Sequence, residues 1–172
     1  VGDAASIAAL SAPPPEWTGT NRPRQFVNHQ GFNWAFGNNN TPHLLFRSLA
    51  ADHQDFTTTR FAIPVYSGDS EYLAAGVSFK GNLVLWKYPN GVYVYDTSDN
   101  DSTKWFTRKI GAGGIAGPNC FCLMENNILW VDPFGGWHLI SAAQEFGNVR
   151  SEDISSRKLG RKVPETVNIA RL

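Results

Sequence analysis

The chain has 172 residues, 42% hydrophobic and 17% charged, which is too apolar and too weakly charged for a disordered polypeptide and long enough for one domain with a sizeable core. Fifteen Lys and Arg balance 15 Asp and Glu, which excludes the strong basic field of a protein that binds nucleic acid by phosphate neutralisation alone. Six Trp, five Tyr and 11 Phe alongside 16 Gly and 10 Pro describe aromatic strands punctuated by turns, so the expected class is all-β. No apolar run approaches the ~20 residues of a membrane span, and no membrane partner is expected.

Residues 1–22 are small and apolar before running through Pro13-Pro14-Pro15, and they read as an extended Pro-rich arm or linker. The chain opens on Val1, from which it is expected to be a processed product or part of a longer polypeptide. Residues 23–146 change character and become short apolar segments separated by Gly, Asn, Asp and Pro, the pattern of turn-punctuated strands.

Three of these segments resemble one another. The first, fainter copy runs from Gln25 to Phe36 around Gly31 and continues through His43-Leu44-Leu45-Phe46-Arg47. The second runs from Gly76 to Trp86 around Gly81, then through Tyr88-Pro89-Asn90-Gly91 into Val92-Tyr93-Val94-Tyr95. There Asn-Gly predicts a two-residue hairpin turn, since both residues tolerate positive φ. The third runs from Asn119 to Val131 around Asn126, then through Asp132-Pro133-Phe134-Gly135-Gly136 into Trp137-His138-Leu139-Ile140. Gly81 and Asn126 are 45 residues apart, as are Gly91 and Gly136, and Gly31 and Gly81 are 50 apart. Such periods, filled by short antiparallel strands, point to β-propeller blades. Three blades make an incomplete ring, and the edges and faces left open require a partner.

Strand pairs are predicted at 76–79 with 83–87 and at 120–123 with 128–131. The predicted core positions are Phe79, Leu83, Leu85, Phe121, Leu123, Ile128 and Trp130. Cys120 and Cys122 read as same-face thiols on a strand, too far apart for an unstrained disulfide. The glycine-rich stretch 111–117 reads as a flexible connection between blades. Residues 147–172 form a C-terminal tail in which Ser151 caps a short helix with Glu152 and Asp153 in its first turn.

Little in this inventory assembles chemistry. His29, His43, His53 and His138 have neither a helical metal spacing nor a nucleophile turn beside them, and Asp132 near His138 reads as a turn residue. Asp96 to Asp101 lacks the Gly and Glu of a calcium loop. No catalytic, cofactor or metal residues are assigned. The tail carries Arg150, Arg157, Lys158, Arg161 and Lys162, which are the candidate assembly contacts, to neighbouring subunits or to phosphates.

The order Pro15, Trp17, Gly19, Pro23, then Phe36-Gly37, Pro42-His43-Leu44-Leu45-Phe46-Arg47-Ser48 and Asp52-His53-Gln54-Asp55-Phe56, resembles the propeller proteins of bacteriophage tails. In that family a strand pair is followed by a subunit-placing segment of the form Ser…Asp-x-x-Asp-Phe. Residues 77–86, Gly91-Val92-Tyr93-Val94-Tyr95 and Gly135-Gly136-Trp137-His138-Leu139 are similar to the family's blade core, and the likeness covers about residues 15–156. The resemblance implies a virion component of the tail nozzle or head-to-tail connector, of the type that stabilises packaged DNA. It implies a homo-oligomeric ring around the DNA channel, bound to other tail subunits, in non-specific contact with DNA, without enzymatic activity or cofactor. The alternative expectation is a lectin-like propeller whose tryptophans stack on host glycans. A glycan hydrolase is the third, and it lacks a convergent acid pair.

Overall fold

The computed structural model describes residues 14, 17, 19–50, 52–56, 61–142 and 149–153. Among them the regular elements are twelve strands and one 3₁₀ turn at Ser102–Lys104. The strands form three antiparallel sheets of four. The first contains β1 (Gln25–His29), β2 (Phe32–Phe36), β3 (Leu44–Arg47) and β4 (Phe61–Pro64). The middle sheet contains β5 (Tyr72–Phe79), β6 (Asn82–Tyr88), β7 (Asn90–Asp96) and β8 (Phe106–Gly113). The third contains β9 (Phe121–Met124), β10 (Asn127–Val131), β11 (Trp137–Ala142) and β12 (Val149–Asp153). Strands follow chain order within every sheet, so each is a simple meander, and no sheet closes on itself.

The turns that revealed the repeat open each meander. Gln30-Gly31 joins β1 to β2 with φ of 50° and 74°, and Lys80-Gly81 joins β5 to β6 with φ of 49° and 77°. Positive φ at both central residues is the I′ geometry that matches strand twist, and glycine adopts it without steric cost at the second position. Glu125-Asn126 joins β9 to β10 at the same two-residue length without positive φ.

Strand alternation then gives each sheet two faces. Counting from the second residue of each opening turn, Trp34 and Phe36, Val84 and Trp86, and Leu129 and Val131 occupy equivalent positions on β2, β6 and β10. Asn33 and Ala35, Leu83 and Leu85, and Ile128 and Trp130 occupy the alternate ones. Trp34 and Phe36 of the first sheet pack against Leu83, Leu85, Tyr93 and Tyr95 of the middle sheet. Val84 and Trp86 of the middle sheet pack against Ile128, Trp130 and Ile140 of the third. Both junctions obey one rule, in which the Trp34-type face of one sheet meets the Leu83-type face of the next. Trp86 and Trp130 are 44 residues apart, one short of the 45-residue repeat, so they sit on opposite face types and meet with ring centroids 5.9 Å apart. Gly76 permits the first junction, since a Cβ there would lie 2.7 Å from the Phe36 ring. At the sheet edges β1 runs beside β5, and β12 meets β8.

The predicted strand pairs are present, with Ser78 opposite Leu83 and Phe121 opposite Trp130. Several expectations need correction. Asn90-Gly91 is not a two-residue turn: the last β6–β7 pair is Trp86 with Val92, and Asn90 pairs instead with Gly113 of β8. The glycine-rich stretch is no flexible connection, because residues 111–113 complete β8, Ile115 is fully buried and Ala116 N–H donates to Val131. Ser151 starts no helix. Residues 149–153 form β12, where the open edge of β11 supplies a backbone ladder from His138–Asp153 to Ala142–Val149. Leu123 is 51% exposed and Phe121 only half-buried, because β9 is a four-residue strand at the edge of its sheet. The end of the arm is attached to the domain, with Trp17 packed on the first sheet and Asn21 buried.

Candidate assembly interface

Repetition of one packing rule leaves two faces without a sheet against them, one at each end of the stack. On the first sheet this is the Ala35 face. Phe26, Ala35 and Phe46 lie on adjacent strands in register, and Trp17 and Phe56 lie over them, with Trp17 centroids 5.5 Å from Phe46 and 5.0 Å from Phe56. The segment with the Asp-x-x-Asp-Phe pattern delivers Phe56. Asp52 accepts from Gln54 N–H, Asp55 N–H donates back to Asp52, and Leu49 N–H donates to Asp55, making a compact loop that ends in the aromatic cluster. Phe26 remains 58% exposed, and it lines an open groove of about 410 Å³ with Trp17, Arg22 and Pro23.

On the third sheet the open face is the Leu129 face. Cys122 lies opposite Leu129, and Val131 opposite Trp137. Together with Asn119 and Cys120 these residues line a groove of about 370 Å³. Cys122 is exposed, and no disulfide joins it to Cys120. Burial pushes the Cys120 thiol up, which keeps it protonated and apolar. The indole N–H groups of Trp17, Trp86 and Trp137 are buried and have no hydrogen-bond partner among the described residues.

The titratable side chains inside the stack are occupied in holding it together. His29 bridges the first and middle sheets. Thr97 Oγ1 donates to the Gly81 carbonyl, so it accepts from His29 Nε2–H at 2.7 Å, and His29 Nδ1 accepts from Ser78 Oγ at 2.8 Å. Burial lowers the His29 pKa below its ordinary value of 6.5. Lys87, fully buried, donates to the Tyr66 carbonyl at 2.8 Å and to Asp69 at 2.5 Å, which fastens the loop leading into β5. Partial burial pushes the Asp69 carboxyl up, but the Lys87 ammonium and the Glu71 N–H outweigh it and hold the carboxyl below its usual range. His138 Nε2 bonds Asp132 at 2.7 Å while its ring stacks on Trp130, centroids 4.9 Å apart. Asp132 also accepts from Phe134 and Gly136 N–H, and these donors hold its carboxyl low despite burial. The Asp132–His138 pair is therefore a turn clamp, with its imidazole packed between Trp130 and Gly113. No group of three or more His, Cys, Asp or Glu able to hold a metal ion occurs among the described residues.

Of the candidate contacts named from the sequence, Arg150 lies on β12 opposite Ser141, whereas Arg157, Lys158, Arg161 and Lys162 lie outside the described residues. The two end faces were not among them. The signal was in the repeat: the odd spacing between Trp86 and Trp130 assigns faces, and face assignment marks Leu129 and Val131 as the row left over.

No family model and no curated protein matches this chain. No helix among the described residues is long and apolar enough to cross a membrane.

Proposed function

We propose that this protein is a structural subunit of a bacteriophage tail or head-to-tail connector, whose propeller-like sheets complete a ring around the DNA channel through contacts with neighbouring subunits. The observation that carries this reading is the apolar surface left at the two ends of a stack of repeated sheets, where Phe26 stays exposed beside Trp17 at one end and Cys122, Leu129 and Trp137 line a groove at the other. Such faces are costly in water and are characteristic of surfaces that associate. The polar groups inside the stack support it from the other side, since His29, Lys87 and the Asp132–His138 pair are engaged in fastening sheets and turns rather than poised around an open cleft. The glycan-binding alternative asks for tryptophans exposed at repeated positions, and Trp34, Trp86 and Trp130 are buried between sheets. The resemblance of the Trp17 to Phe56 region to phage tail propellers supplies the particle.

The test is incorporation. An epitope-tagged copy expressed from the phage genome that encodes the chain is expected to co-purify with mature particles. Immunogold should place it at the neck or tail. Particles of full infectivity and normal composition that lack the tagged chain would overturn the reading.

A further inference from the structure

We infer that a polar cleft at the seam between the first and middle sheets binds an acidic saccharide, with Arg24 taking a sugar carboxylate and Tyr72 offering its ring to a sugar face. This goes beyond the assembly reading and does not depend on it. The cleft is built by the backbone. The chain leaves β2 at Gly37, where φ is 83° and a Cβ would lie 3.3 Å from the Leu73 carbonyl, so glycine lets the end of β2 lie against the start of β5. Arg24 N–H donates to the Phe36 carbonyl at 3.0 Å and fixes the entry to β1 at the same place. Arg24, Gly37, Asn38, Asn39, Ser70 and Tyr72 line the resulting cleft of about 350 Å³. A smaller space of about 110 Å³ shares Arg24, Gly37 and Tyr72 and continues it past Leu73 and Ala74 to Pro118. The larger part alone reaches the roughly 300–1,000 Å³ of small-ligand sites.

Three features specify the ligand. The first is a cation that no carboxylate neutralises among the described residues. The Arg24 guanidinium donates to Asn39 Oδ1 at 2.6 Å, and Asn39 Nδ2 donates in turn to the Thr20 carbonyl at 3.0 Å. A neutral amide thus steadies the guanidinium fork without cancelling its charge. The second is an aromatic platform, since Tyr72 is 42% exposed and its ring is backed by Tyr88, centroids 5.3 Å apart. Burial and Tyr88 push the Tyr72 phenol up and Arg24 opposes them, whereas the Asp69 and Glu71 carboxylates join burial in raising Tyr93. The field in the cleft is therefore that of Arg24. The third is Asn38, 1% exposed, whose Nδ2 donates to the Asn21 carbonyl at 3.2 Å while its Oδ1 has no partner among the described residues. A buried carbonyl oxygen in this position calls for a donor, which a ligand hydroxyl supplies. Inorganic phosphate has no use for the ring, and a nucleotide brings a second negative charge to a lone guanidinium. A carboxylated sugar matches all three features: one negative charge, several hydroxyls and an apolar C–H face. The site is single and differs from a set of repeated tryptophan pockets, because Trp34, Trp86 and Trp130 are buried.

The test titrates the full chain with tetragalacturonate, sialyllactose and a hyaluronan tetrasaccharide, read by saturation-transfer NMR and calorimetry. At least one of them should bind, and the same sugar with its carboxyl groups methyl-esterified should bind at least about tenfold more weakly, as expected for loss of a charged hydrogen bond. Arg24 and Tyr72 are exposed, so their variants should keep the wild-type far-ultraviolet circular dichroism. Arg24→Gln should weaken binding at least about tenfold. Tyr72→Ala should weaken it several-fold, whereas Tyr72→Phe, which keeps the ring, should leave it unchanged. Absence of binding by all three saccharides up to about 5 mM overturns the inference. So does binding that neither Arg24→Gln nor Tyr72→Ala weakens, which would place the saccharide elsewhere on the chain. Inorganic phosphate or thymidine monophosphate that displaces the saccharide and binds as tightly would show an anion or nucleotide site instead and also overturn it. Incorporation into particles is read separately and is unaffected by any of these results.

Discussion

His29 is the buried titratable group that ties the first sheet to the middle one, and its position makes stability depend on pH within a definable window. Its ring lies between two hydroxyls in the neutral form, and burial disfavours the imidazolium. A group whose folded pKa lies below its unfolded value gives full stability above the unfolded value, and that stability is lost as pH falls toward the folded one. The loss should therefore begin near pH 6.5 and deepen on acidification. Asp69 and Asp132 also have lowered values, but their contributions are lost only as pH falls below the ordinary carboxylate value of 3.8. The midpoint of thermal unfolding between pH 8 and pH 5 separates the two classes. The wild type should lose stability across this interval more steeply than His29→Gln, which keeps a hydrogen-bonding side chain without a titration. Parallel profiles would show that His29 does not resist protonation.

The strands show which features local sequence can carry. The first hairpin of each sheet was legible because its turn sits at a fixed distance from alternating apolar residues, and Gly31, Gly81 and Asn126 mark all three. The fourth strands were not. Neither β4 nor β8 has a tight turn before it, and β12 reads locally as a capped helix because Ser151-Glu152-Asp153 satisfies the helix-start pattern. Only the open edge of β11, a tertiary feature, turns that segment into a strand. Core phase was legible where a strand lies inside its sheet and ambiguous at an edge. Trp130 on β10 is 1% exposed, whereas Leu123 on β9 has the same face type and stays 51% exposed. Their substitutions should differ accordingly. Trp130→Ala removes a ring packed against Trp86 and His138 and should cost about 3–5 kcal/mol. Leu123→Ala should cost less than about 0.5 kcal/mol. Denaturant unfolding measures both, and a large loss at Leu123 would mean that β9 is covered in solution.

Charge divides the molecule in a way that neither its neutral total nor its sheets reveal. Residues 154–172 contain Arg157, Lys158, Arg161, Lys162 and Arg171 against Glu165, so the rest of the chain carries a compensating net charge of −4. In the proposed connector the tail is the segment that would meet DNA phosphates. Where the tail begins is set by the third sheet, since β12 runs to Asp153 and a cut at Arg150 would remove most of an edge strand along with the cations. The informative truncation therefore removes residues 154–172. It should leave the sheets intact, with an unchanged far-ultraviolet spectrum and an unfolding midpoint within a few degrees of the full chain. It should also abolish non-specific DNA binding measured at low salt. In the full chain the logarithm of the binding constant should fall with the logarithm of salt concentration with a slope of about −4.5, if each of the five tail cations displaces a counterion. A shorter chain, cut after Gln144 so that β12 is lost as well, should lose stability in addition, because β11, which carries the fully buried Ile140, then becomes an unpaired edge. Equal DNA affinity with and without residues 154–172 would remove the tail from any role in holding DNA.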